Sequence, residues 1–156
     1  MAGEAPLSFE NFVPEVRAFI RDFPELNRLI AGEETSNRMI DYCAHLALDE
    51  FNTTPPLTSY AIGGFPSRTI LLQLTVIHIL LSVGILKSRN RFSYSDGGWS
   101  SDTEQQDQLY QNWIQLIRSQ LNPRLQNLKV ALNIEGGWGA GLGSEYGWLH
   151  GWYGVS

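Results

Sequence analysis

Residues 66–87, PSRTILLQLTVIHILLSVGILK, form the most apolar stretch of the chain; positions 69–86 carry no charge and twelve large aliphatic side chains. On a helix, which turns by about 100° per residue, those aliphatics point in every direction. The polar exceptions fall in two narrow seams, Thr69 with Gln73, and Thr75 with His78 and Ser82. A helix apolar all round is either wrapped by protein or immersed in lipid. A run of this length is at the short limit for a span, which needs about 20 residues. Gln73 and His78 would be costly in hydrocarbon, and Arg68 before the run with Lys87, Arg89 and Arg91 after it gives no one-sided bias. The pattern predicts a helix over about 67–87 at the centre of a soluble bundle.

The flanking segments are amphipathic and supply the cover. Phe12, Val16, Phe19, Ile20 and Phe23 recur at helical spacing, predicting a first helix over 9–23 with Pro14 at a first helical position. Pro24 stops or redirects it. Leu26, Leu29 and Ile30 form a short turn or helix before Gly32. A second helix is expected over 36–52, capped by Thr35 or Ser36, with Met39, Ile40, Cys43, Leu46, Ala47 and Phe51 on one apolar stripe. A turn-rich loop follows. Alternating Phe92 and Tyr94 with Asp96-Gly97-Gly98 predict a short extended piece and a turn. A long fourth helix then carries Leu109, Trp113, Leu116 and Ile117, and further on Leu121, Leu125 and Leu128. Asn122-Pro123 should kink or restart it, and it should fade near Asn133.

The last 22 residues are of another kind. EGGWGAGLGSEYGWLHGWYGVS, residues 135–156, holds eight of the fifteen glycines and three of the five tryptophans, with no Lys or Arg. Each glycine costs a helix about 1 kcal/mol relative to alanine, which argues against helix here. The aromatics argue against a solvated linker. The sequence thus predicts an all-α protein of four to five helices over 1–134, followed by an extended arm over 135–156. The arm buries Trp138, Tyr146, Trp148, Trp152 and Tyr153 against its own domain or against another subunit.

Composition adds limits. A single domain of 156 residues, 43% hydrophobic and with a net charge of −5, is ordinary for a globular protein. The acidic balance disfavours nucleic-acid binding, which needs clustered Lys and Arg. One cysteine, Cys43, excludes an internal disulfide framework and a Cys-rich metal site. MAGEAPLSFENF lacks a basic region followed by an apolar one, so a protein made and folded in a cytoplasm is expected.

No catalytic constellation emerges. His45 shares a helix with Asp41 and Asp49 at four residues either way, which reads as solvated pairing rather than a metal site. His78 in its apolar helix reads as a buried, hydrogen-bonded histidine, and Cys43 as core packing. The glycine arm matches neither GxGxxG nor GxxxxGK[ST], and Asp96-Gly97-Gly98 lacks the acidic spacing of a calcium loop. A non-enzyme without cofactor or metal is expected.

Three segments in order carry a resemblance: FIRDFPEL at 19–26, MIDYCAHLAL at 39–48 ending in Phe51-Asn52, and the apolar run 70–86 with its basic exit. Together they resemble the head–tail connector, or adaptor, proteins of tailed bacteriophages, in which a DFPEF-like segment precedes two such helices and a final helix completes a bundle. The likeness spans about 9–133; the stretch 92–101 and the Gly/Trp arm depart from it. The resemblance implies a homo-oligomeric ring, commonly of twelve copies, in the virion neck between head and tail. It would contact the portal protein and a downstream neck or tail protein, with DNA passing through without specific binding. The aromatic arm would dock on the portal or on a neighbouring subunit, since tryptophan is favoured at interface hot spots. A different expectation from the same residues is a small binding module that stacks a ligand such as a glycan on Trp138, Trp148, Trp152 and Tyr153.

Overall fold

The computed structural model describes the backbone of residues 9–27, 32–89 and 103–151, with side chains at those positions except 9, 87–88, 103–107 and 138–151. The described residues are all-α: α1 Phe9–Ile20, α2 Asn37–Thr53, α3 Arg68–Arg89 and α4 Thr103–Gly151, with a 3₁₀ turn at Ile62–Gly64. The expected extended piece and turn at 92–101 lie outside the described residues. The chain divides into two compact units, Met1–Leu121 and Asn122–Ser156. The division falls inside α4, at Asn122-Pro123. Proline has no N–H to donate and its ring crowds the carbonyl four residues back, so the helix is weakest there.

In the first unit α2 and α3 form the main pairing, and α1 packs on both. The core holds Phe12 and Val16 of α1, Ile40, Cys43, Ala44, Ala47 and Phe51 of α2, and Leu71, Leu74 and Ile77 of α3. Thr75 is also fully buried, and its hydroxyl donates to the Leu71 carbonyl one turn back, which removes its need for another partner. Ser36 caps α2 as expected, its hydroxyl accepting from the Met39 N–H at 3.2 Å.

Three expectations need correction. α1 ends at Ile20, not Phe23, because Arg21 turns to a left-handed φ of 57° and redirects the chain. Phe23 consequently leaves the helical stripe and is exposed, and Phe19, in the last turn of α1, is exposed as well. Pro14 lies inside the helix rather than at its first turn. The central helix is not wrapped all round: its buried residues lie between Ile70 and Ile79, while Thr69, Leu81, Ile85 and Leu86 are exposed. The backbone of α4 runs on as helix to Gly151. Elongating a helix adds one hydrogen bond per residue without a new nucleation cost, which offsets poor glycine propensity.

Candidate functional site

Asp22, in the middle of the FIRDFPEL segment, is the hub of the α1–α2 connection. Its carboxylate accepts the backbone N–H groups of Glu34 and Thr35, each at 2.8 Å, and the Asn27 side chain at 2.7 Å. Arg17 of α1 donates to the same carboxylate at 3.1 Å, and also reaches Asn37 at the start of α2 and the Glu33 carboxylate. Burial pushes the Asp22 carboxyl up, but the Glu34, Asn27 and Thr35 donors and the Arg17 charge prevail and hold it below its ordinary value. Arg17 and Asp22 are both buried. A charged network this well satisfied fixes the turn that leads into α2. The motif that carries the family resemblance therefore has a structural role, clamping two helices together.

A second polar centre joins three helices. Glu50 of α2 lies 2.9 Å from His78 Nε2 of α3, and Arg118 of α4 donates to its carboxylate at 2.7 and 3.3 Å. The His78 contact has ion-pair distance without the alignment of an N–H···O hydrogen bond. His78 and then Arg118 hold the Glu50 carboxyl at about 2, against the opposing pull of burial. His78 of that seam thus serves the chain's own α2, while Thr75 bonds within α3. The seam of Thr69 and Gln73 behaves differently: Thr69 is exposed, while the Gln73 side-chain oxygen is buried with no hydrogen-bond partner among the described residues.

The remaining polar candidates are local. His45 and Asp41 are 3.4 Å apart on the exposed face of α2, as solvated partners. Burial raises the pKa of the Cys43 thiol, in keeping with a packed side chain rather than a nucleophile. No group of three or more His, Cys, Asp or Glu gathers for a metal among the described residues. Asn52 pins the loop after α2, accepting from Thr58 and the Tyr60 N–H and donating to the Tyr60 carbonyl. That places Tyr60 and Phe65 edge-on against Phe51.

The first unit also presents large apolar side chains outward. On α4, Ile114 and Ile117 are half-buried and Leu121 fully buried. Leu109, Trp113 and Leu116, spaced by four and three residues, form a separate stripe and are 56%, 56% and 49% exposed. The sequence assigned those residues to the core side; α4 is rotated so that 114, 117 and 121 face in. No family model, curated protein or solved structure matches the chain. The outward stripe is the exposed apolar feature that sequence reasoning missed. Its signal was present: apolar residues at 109, 113 and 116 and at 114, 117 and 121 are more than one helix face needs. Of the expected interface residues, Trp138, Tyr146 and Trp148 lie on α4 where side chains are not described, and Trp152 and Tyr153 lie outside the described residues.

Proposed function

We propose that this chain is a structural assembly protein of a phage neck, an adaptor that joins its own copies in a ring between portal and tail. The observation that carries the reading is the Leu109–Trp113–Leu116 stripe on α4. Tryptophan, half-exposed here at the centre of an apolar stripe, is among the residue types most enriched at interface hot spots. The bundle adds support: the segments that resemble phage adaptors form α1, the clamped turn, α2 and α3 in the expected order. The negative net charge suits a ring around DNA, because an acidic wall lets a duplex slide rather than stick. In this reading the aromatic C-terminal segment engages the portal or the adjoining subunit.

The test is electron microscopy of particles assembled with a tagged chain. The expected result is label at the junction of head and tail, in several copies per particle. Label elsewhere on the particle, or none on purified particles, refutes the reading.

A further inference from the structure

No further inference is drawn: the strongest candidate, the apolar patch of Leu81, Ile85 and Leu86 on the last turns of α3, is an exposed helix face, and nothing in the structure shows what covers it.

Discussion

Replacing Asp22 by alanine removes the acceptor on which the α1–α2 connection converges. Four donors lose it: the Glu34 and Thr35 N–H groups, Asn27 and Arg17. Thr35 is buried, so its N–H is left without an acceptor, at a cost of about 1–3 kcal/mol. Arg17 and Asp22 are 6% and 5% exposed, and breaking a buried ion pair costs about 3–5 kcal/mol. Arg17 keeps Asn37 and Glu33, which softens that loss, and the two costs overlap. The net destabilisation is about 3–5 kcal/mol, a large share of the roughly 5–15 kcal/mol that holds a domain folded. With a urea slope of about 2 kcal/mol/M, the unfolding midpoint of Asp22→Ala should fall by about 1.5–2.5 M. Asp22→Asn keeps the shape but turns a donor toward a donor, and should fall by about half as much. The carboxyl is held below its ordinary value of 3.8 in the folded chain. Its stabilisation is therefore present above that pH and lost as pH falls through the folded value. The gap between wild type and Asp22→Asn should narrow below about pH 4. A midpoint for Asp22→Ala within about 0.3 M of wild type at pH 7 would refute the clamp.

Glu50→Gln tests the second polar centre. The folded carboxyl sits at about 2 against 4.5 unfolded, and each unit is worth about 1.4 kcal/mol, so the variant should lose up to about 3.5 kcal/mol at pH 7. That deficit should close as pH falls from 4.5 toward 2; a deficit independent of pH would exclude the charge as its source. Along α3, Leu74→Ala should cost about 3–4 kcal/mol and Leu81→Ala less than about 1, because the first opens a cavity and the second trims an exposed side chain. Equal losses in thermal melts would contradict the described burial.

Much of the first unit was legible because its signals are local. The cap at Ser36, the apolar spacing of α2 and the charge-free run of α3 act within a turn or two of their own residues. The polar centres were not legible. Nothing near Asp22 in sequence announces that its donors are the N–H groups of Glu34 and Thr35, twelve and thirteen residues on. Glu50 and Arg118 are 68 residues apart. Such partners are chosen when helices pack, so their chemistry belongs to the assembled bundle. The early end of α1 follows the same rule: Phe23 keeps the helical spacing, but the turn at Arg21 takes it off the helix.

By itself the sequence determined that this chain is helical and that 66–87 is its most apolar element. Hydrophobic period and capping are properties of neighbouring residues along one stretch of chain. Tertiary structure alone decided how far that helix is wrapped, since its cover comes from α1 and α2, which leave Leu81, Ile85 and Leu86 exposed. It also decided which of two apolar faces of α4 turns inward. A helix with apolar residues at both 109, 113, 116 and 114, 117, 121 can bury either, and the Arg118–Glu50 contact and the seat of Leu121 select the second. The face left outside, with Trp113 at its middle, is where the proposed assembly begins.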